Sequence, residues 1–294
     1  MSSVSSNTQP DIAERTRVRR FRSRMYTLNT VLFILFFLIF LGAAIGAALQ
    51  IYLDRQDAEL YSDLSQLVTD PPETEPTELL NQVTSPDPDR METSPAEKPS
   101  EPVVLAKYQK VYQMNEDLFG WLSVEGTTFN YPVMHTPEDE EYYLRRGFDR
   151  EYSRAGVPFL DEDCKTGCGN YLIYGHNMNN GTMFAQLISY QEQSFWEEHP
   201  VIGFDTLYEE GEYEVLAVFY SRVFYKYETN VFRYYDYHDL TDPEVFQEYV
   251  DHVRSLSIYD TGVQAEYGDE LITLITCSYG RKHERFVVVA RKQA

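Results

Sequence analysis

Residues 271–291 read LITLITCSYGRKHERFVVVAR. Two runs in this stretch, 271–276 and 284–291, are rich in β-branched and apolar side chains, and turn residues separate them. Strand-like runs joined by a short loop predict a β-hairpin. The hairpin brings Cys277, at the end of the first strand, opposite Arg285, at the start of the second.

Similar runs recur upstream of this hairpin. Each is rich in β-branched or aromatic residues and is bounded by Gly, Pro, Asn or Asp. Together with the hairpin they predict eight strands, a number that suits a closed barrel. The six upstream strands are predicted at 121–124, 128–134, 156–160, 170–175, 201–206 and 212–222.

Helical patterns flank and interrupt the strands. Apolar residues recur at helical spacing from Val104 to Tyr112, which predicts one amphipathic helix before the main fold. Later in the chain, Thr182 is a candidate cap for a turn through Leu187, and two Ser/Thr–Glu pairs have capping-box spacing: Ser194 with Glu197, and Thr241 with Glu244. The last of these helices carries an apolar stripe typical of core packing: Val245, Phe246, Tyr249, Val250 and Val253.

The N-terminal region differs sharply from the rest in charge and hydropathy. Residues 1–27 hold six Arg against Asp11 and Glu14, a net charge of +4, whereas the whole chain has a net charge of −22. Residues 28–53 contain no Asp, Glu, Lys, Arg or His, and as a helix they are long enough to cross about 30 Å of hydrocarbon. A cleaved signal peptide has similar regions, but the length of the uncharged run favours a retained signal anchor. Positive charge on its N-terminal side predicts a cytoplasmic N-terminus.

The next region, 54–102, is rich in Asp, Glu, Pro, Ser and Thr, which predicts an extended acidic stalk that acts as a spacer. Leu60, Leu64 and Leu67 are spaced to continue a short helix from the membrane. The predicted organisation is a basic cytoplasmic tail (1–27), a transmembrane anchor (28–53), the stalk and an extracellular domain (103–294). The acidic charge outside the tail argues against nucleic acid as a partner.

Three cysteines are present, and Cys277 stands apart from the close pair Cys164 and Cys168. An odd number outside the cell leaves one thiol free if the other two pair. The close pair is interpreted as a disulfide or two free thiols, because no second ligand pair with the spacing of a metal site lies nearby. A thiol at a strand end is exposed enough to react, whereas one inside a strand is usually an inert core residue. Position alone leaves both roles open for Cys277.

Arg285 favours the reactive role. A guanidinium beside a thiol favours the thiolate and can also hold a developing oxyanion. Arg291 lies about 20 Å further along the strand, beyond reach of the same point. Arg281, in the loop, remains a rival.

Of the six histidines, only His176 has the same setting as Cys277, because it directly follows the strand-like run NYLIYG. In a barrel, two strands can deliver their ends to one rim. His283 is a rival because it lies in the loop beside the cysteine, and the remaining histidines are interpreted as surface residues in turns.

Three segments resemble the His, Cys and Arg motifs of class B sortases: YGHNMNNGTMF (174–184), TLITCSY (273–279) and RFVVVAR (285–291). Upstream, NEDLFGWLSVEGTTFNYPVM (115–134) is similar to that family too, so the resemblance runs from Asn115 to Arg291. Two positions depart from the family pattern. Ile275 stands where members commonly have Ser, and His135 stands where other residues are usual.

The resemblance implies an eight-stranded sortase barrel with an N-terminal helical extension and a helix at 242–256 in the long connection before the cysteine strand, and this connection helps to form the substrate groove. The implied groove-lining residues are Leu144, Ile275, Thr276 and Ser278. It also implies transpeptidation: Cys277 attacks the carbonyl of a Thr in the C-terminal sorting signal of a surface protein, Arg285 steadies the oxyanion, and His176 protonates the leaving amine. The implied acceptor is an amine of a cell-wall precursor or a pilin Lys, and no metal or organic cofactor is needed.

Other classes of function are weaker alternatives. A wall-modifying L,D-transpeptidase would have His and Gly just before the cysteine, where this chain has Ile275 and Thr276. In a papain-like peptidase the Cys precedes the His, which is the reverse of the order here. A non-enzymatic, stalked surface protein that binds a ligand with its aromatic-rich barrel is compatible with the composition alone.

Overall fold

The computed structural model describes residues 12–69, 102–278 and 283–293. Within them, eight strands close into a barrel, as the sequence predicts. The strands are β1 (Leu118–Ser123), β2 (Asn130–Met134), β3 (Phe159–Leu160), β4 (Asn170–Tyr174), β5 (Val201–Thr206), β6 (Glu212–Arg222), β7 (Leu271–Cys277) and β8 (Glu284–Lys292). Their order around the barrel is β1-β2-β3-β4-β7-β8-β6-β5.

The pairing around β7 decides what meets at the barrel rim. β7 and β8 are antiparallel, and Cys277 is the direct partner of Arg285, which confirms the predicted hairpin register. On its other side β7 pairs with β4 in parallel, from Asn170–Leu271 to Tyr174–Ile275. Because parallel neighbours run in the same direction, the C-terminal ends of β4 and β7 lie side by side.

β3 is shorter than the predicted strand 156–160. The backbone at Gly156 has φ 61°, a left-handed conformation that strands do not adopt. Val157 donates its N–H to the carbonyl of Tyr143, which lies outside any strand. Strand pairing therefore begins only at Phe159.

The described residues contain four α-helices: α1 (Ile12–Thr69), α2 (Ala106–Met114), α3 (Gln193–Glu198) and α4 (Pro243–Leu256). α2 and α4 confirm the predicted helices, and four of the five residues in the predicted stripe of α4 are buried. Shorter 3-10 helices span Tyr142–Arg145, Gln186–Gln191 and Tyr234–Asp236.

The predicted helix caps are wrong. Asp242, not Thr241, caps α4, and its carboxylate accepts the N–H groups of Glu244 and Val245. The Thr241 hydroxyl is bound instead to Asp239, at 2.6 Å. The cap position of α3 is Glu192, and it makes no side-chain cap bond.

A turn does run on from Thr182 as predicted, because the N–H of Ala185 donates to the Thr182 carbonyl at 3.2 Å, but Thr182 does not cap the 3-10 helix that follows. The 3-10 helix starts at Gln186, and the side-chain oxygen of Asn180 accepts the N–H and the hydroxyl of Thr182. The predicted cap residue is therefore used before the helix begins.

A buried polar chain ties α4 to the two parallel strands. The Tyr249 hydroxyl lies 2.6 Å from the hydroxyl of Thr273, and Thr273 donates to the side-chain oxygen of Asn170 at 2.9 Å. Asn170 in turn donates to the carbonyl of Tyr237. Since an unpaired buried polar group costs about 1–3 kcal/mol, this satisfied chain favours one register of β4, β7 and α4.

The chain divides into two compact units, Met1–Arg55 and Gln56–Ala294. In the first unit, α1 exposes a long apolar surface that includes Phe33, Phe36 and Phe40. Among the described residues, one helical stretch, Tyr26–Thr69, is long and apolar enough to cross a membrane. This finding fits the anchor predicted at 28–53.

The second unit includes the last part of α1. There Tyr61 and Leu64 are buried and belong to the hydrophobic core of the barrel unit. The beginning of the region interpreted as an extended stalk, up to Thr69, is therefore helical. The rest of that region, 70–101, lies outside the described residues.

Candidate active site

The rim where β4 and β7 end is held together by backbone and side-chain hydrogen bonds. Gly175 donates its N–H to the carbonyl of Ile275 at 3.1 Å, and the Thr276 hydroxyl donates to the carbonyl of Gly175 at 2.7 Å. One residue further on, the Asn177 side chain donates to the carbonyl of Cys277 at 3.0 Å. These bonds carry the parallel register past the strands, so His176 and Cys277 leave the sheet at the same level.

Position 175 has to be glycine for this arrangement. A Cβ atom at Gly175 would lie 2.5 Å from the ring of Phe184, which is fully buried. The Phe184 N–H also donates to the carbonyl of His176 at 2.8 Å. The YGH segment is therefore clamped between the barrel and Phe184.

A groove of about 400 Å³ opens at this rim. Six of the seven sequence-predicted site residues line it: Leu144, His176, Ile275, Thr276, Cys277 and Arg285. Ser278 is not among its lining residues, and its hydroxyl donates to the carboxylate of Glu284 at 2.7 Å. The other walls are formed by Glu140, Glu141, Phe159, Tyr174, Gly175, Val223, Tyr234 and Tyr235.

His176 is half-buried, and one of its ring nitrogens is fixed. Nε2 lies 2.9 Å from the carbonyl oxygen of Leu144. A carbonyl only accepts, so Nε2 carries the proton and Nδ1 is the nitrogen left for proton exchange. Burial lowers the pKa of His176, and the positive charges of Arg145 and Arg285 add to this, whereas the Leu144 bond opposes it. At neutral pH the imidazole is therefore mostly uncharged and ready to accept a proton.

Cys277 and Arg285 are also half-buried, so the groove reaches both. The Arg285 guanidinium donates to the carbonyl of its neighbour Glu284 at 3.2 Å. Together the groove offers a thiol, an imidazole and a permanent cation, the groups needed for nucleophilic attack, proton transfer and oxyanion binding.

The alternative candidates for the cation, the base and the nucleophile either lie away from the groove or fall outside the described residues. Arg281 is outside the described residues. His283 is exposed, packs its ring edge against Tyr225, and is not in the groove wall. Cys164 and Cys168 are buried free thiols that both contact the carbonyl of Asn170.

Among the described residues, the groups that could hold a metal include Asp161, Asp163 and His238, whose ligand atoms lie within 4.8 Å of one another. None of these three residues lines the groove. The groove chemistry outlined above uses protein side chains alone.

Sequence reasoning missed part of the groove wall. Tyr234 and Tyr235 follow a long irregular connection after β6, and their only signal in the sequence is that two aromatic residues are adjacent. Glu140 and Glu141 precede the 3-10 helix at Tyr142 and carry no motif. All four lie outside the strands, and the course of the connecting segments places them at the groove. Strand periodicity in the sequence does not predict this course.

Comparison with known proteins agrees with this geometry. The sortase domain family matches residues 122–293. The chain is 32% identical to sortase B of Staphylococcus aureus over 192 residues, which are 64% of this chain and 75% of that protein. It is also 32% identical to sortase B of Listeria monocytogenes over 184 residues, 62% of this chain and 71% of that protein. A solved Staphylococcus aureus sortase B–substrate complex superposes with a TM-score of 0.56 at 29% identity, over 65% of this chain and 86% of that one.

The chain belongs to the sortase family and is therefore a cysteine transpeptidase. Within the family its relatives are class B enzymes, which confirms the class that the sequence motifs predict. Membership of this family decides against the L,D-transpeptidase and the non-enzymatic binding protein.

The cations near His176 give a testable prediction. Because both Arg145 and Arg285 lower the pKa of His176, Arg145→Gln and Arg285→Gln should each raise it. The measurement is an NMR titration of ¹⁵N-labelled histidine rings. Arg254→Gln, on the exposed face of α4, is the matched control and should leave the midpoint unchanged. A lower or unchanged midpoint in both test variants would contradict the described site.

Proposed function

We propose that Cys277, His176 and Arg285 are the catalytic residues with which this sortase cleaves a C-terminal sorting signal after Thr and joins the protein to an amine. The observation that carries the proposal is the convergence of the ends of β4, β7 and β8 on one groove. Family membership supports substrates with sorting signals and amine nucleophiles.

The first half of the reaction forms an acyl-enzyme. The Cys277 thiol gives its proton to Nδ1 of His176, and the thiolate sulfur bonds to the carbonyl carbon of the substrate Thr. Negative charge then develops on the carbonyl oxygen, where the Arg285 guanidinium stabilises it. The carbon–nitrogen bond breaks, the leaving amine takes the proton from His176, and a thioester remains on Cys277.

The second half transfers the acyl group. An incoming amine attacks the thioester carbonyl, and neutral His176 accepts the proton that this amine loses. Cys277 leaves as a thiolate and is reprotonated. Since Nε2 of His176 stays bound to the carbonyl of Leu144, the same Nδ1 atom serves both halves without rotation of the ring.

The groove suits an extended peptide. It is open to solvent along the rim and combines apolar walls, such as Leu144 and Ile275, with aromatic side chains from Tyr234 and Tyr235. The proposed substrates are surface proteins that carry a C-terminal sorting signal. The proposed acceptor is an amine of a cell-wall precursor or a pilin Lys.

The proposed location fits these substrates. The apolar segment 28–53 would anchor the chain in the cell membrane, with the basic tail 1–27 in the cytoplasm and the domain 103–294 outside. Both the sorting signal and a wall-bound amine are reached from the outer membrane face.

The oxyanion role of Arg285 is tested by kinetics. The enzyme is incubated with hydroxylamine and a pool of short peptides, each of which contains a single Thr. The rate of hydroxamate formation at this Thr is measured. Arg285→Ala and Arg285→Lys should each lower the rate about a hundredfold to a thousandfold, because a Lys keeps the charge but loses the paired donors. Arg281→Ala, the matched control, should stay within about tenfold of the unaltered chain. If Arg281→Ala is inactive while Arg285→Ala is active, the oxyanion role belongs to Arg281 in the loop and the assignment to Arg285 is wrong.

The proposed orientation is tested by protease treatment of intact spheroplasts. Protease added outside should digest the 103–294 domain and leave a membrane-protected fragment that contains the basic tail. A cytoplasmic protein serves as the control for lysis. Protection of the domain until the membrane is broken would show the opposite orientation.

A further inference from the structure

The last part of α1, Gln56–Thr69, packs against the barrel unit through a small number of buried side chains. Leu64 is 1% exposed and Tyr61 is 5% exposed. The Tyr61 ring lies edge-on to the ring of Tyr131 on β2, with centroids 5.7 Å apart. This segment lies more than 100 residues before His176 in sequence, and no motif connects the two.

Two polar groups of this segment hold one turn of the barrel unit, residues 153–156. The Tyr61 hydroxyl donates to the carbonyl of Gly156 at 3.0 Å, and this bond is buried. The Ser153 hydroxyl donates to the carboxylate of Asp57 at 2.7 Å. The same hydroxyl accepts the N–H groups of Ala155 and Gly156, both at 3.1 Å. The turn is therefore bound by α1 at both of its ends.

The turn rests directly on the backbone that faces His176. Gly156 has φ 61°, and a Cβ atom there would lie 2.6 Å from the carbonyl oxygen of Tyr143 and 2.8 Å from that of Leu144. Val157, the next residue, donates to the Tyr143 carbonyl at 3.3 Å. Because glycine has no Cβ, the backbone of the turn can lie close against these two carbonyls, and a shift of the turn would carry the Leu144 carbonyl with it.

The Leu144 carbonyl accepts the Nε2 proton of His176 at 2.9 Å. We infer that Asp57 and Tyr61 are positioning residues for His176, acting through the 153–156 turn and the carbonyl of Leu144. The inference rests on the proposed catalytic role of His176. The C-terminal part of α1, Gln56–Thr69, would then help to position a catalytic residue as well as pack against the barrel unit.

The inference has a directional consequence. The bond to the Leu144 carbonyl favours the protonated imidazole, so a displaced carbonyl lowers the pKa of His176 further. The other charged or titratable groups that line the groove or affect His176 are Arg145, Arg285, Glu140, Glu141, Cys277, Tyr174, Tyr234 and Tyr235, and the test variants alter none of them.

The test uses the full chain in detergent micelles. Tyr61→Phe removes one hydroxyl and keeps the ring, and Asp57→Asn replaces the carboxylate that accepts from Ser153 with a neutral amide, which is a weaker acceptor. The matched controls are Tyr208→Phe and Asp63→Asn, both at exposed positions. The pKa of His176 is followed by NMR of the labelled ring, hydroxamate formation gives the rate, and thermal unfolding shows which variants are folded.

Both test variants should lower the His176 midpoint and slow hydroxamate formation about threefold to thirtyfold, while both controls match the unaltered chain. Folded test variants with an unchanged midpoint would overturn the inference, even if their rate fell, because that result describes a purely structural role. If the unaltered chain forms no hydroxamate but both test variants lower the His176 midpoint, the result would support the positioning role and refute the proposed function. If Tyr61→Phe does not fold, Asp57→Asn decides the outcome.

Discussion

The parallel pairing of β4 with β7 is the constraint on which the site depends. Antiparallel neighbours would send the ends of these strands to opposite rims, whereas the parallel pair delivers His176 and Cys277 to the same one. The hairpin partner of β7 then adds Arg285 directly opposite the cysteine. The buried chain from Tyr249 through Thr273 to Asn170 fixes the register of this pair from within the core. A slip by one residue would turn every side chain to the other face and break that chain of hydrogen bonds.

The electrostatics of the groove follow from the same geometry. His176 is half-buried and is affected by the positive charges of Arg145 and Arg285, so its uncharged form is favoured, while its Nε2 binds the backbone carbonyl of Leu144. In the proposed mechanism, the neutral imidazole takes the thiol proton as the sulfur attacks, so the two charges form together in one groove. In the proposed mechanism, the Arg285 guanidinium stabilises the oxyanion without reorganisation of solvent, and such electrostatic stabilisation is usually the largest single contribution to the rate gain in acyl transfer.

Much of the fold was predictable because it rests on local patterns. Runs of β-branched residues bounded by turn residues predict the strands, and the hairpin register follows from two such runs and a short loop, so Cys277 and Arg285 could be paired from the sequence. The caps were not predictable, because Thr241 and Asp242 are both good caps and the choice depends on Asp239 binding the threonine hydroxyl. Tyr234 reaches the groove through an irregular loop, and Tyr61 reaches the Leu144 region across the fold. No periodic sequence pattern predicts either contact, because both arise from tertiary packing.

The central claim is that Cys277 carries the acyl group, and mass spectrometry of the quenched reaction tests it most directly. The full chain is mixed with the Thr-containing peptides, and one sample is stopped with acid without hydroxylamine. A parallel sample receives hydroxylamine before it is stopped. The account predicts an added acyl mass on the peptide that contains Cys277, its loss when hydroxylamine is supplied, and no adduct in the Cys277→Ala variant. An acyl group on Cys164 or Cys168, or hydroxamate formed by Cys277→Ala, would contradict the account.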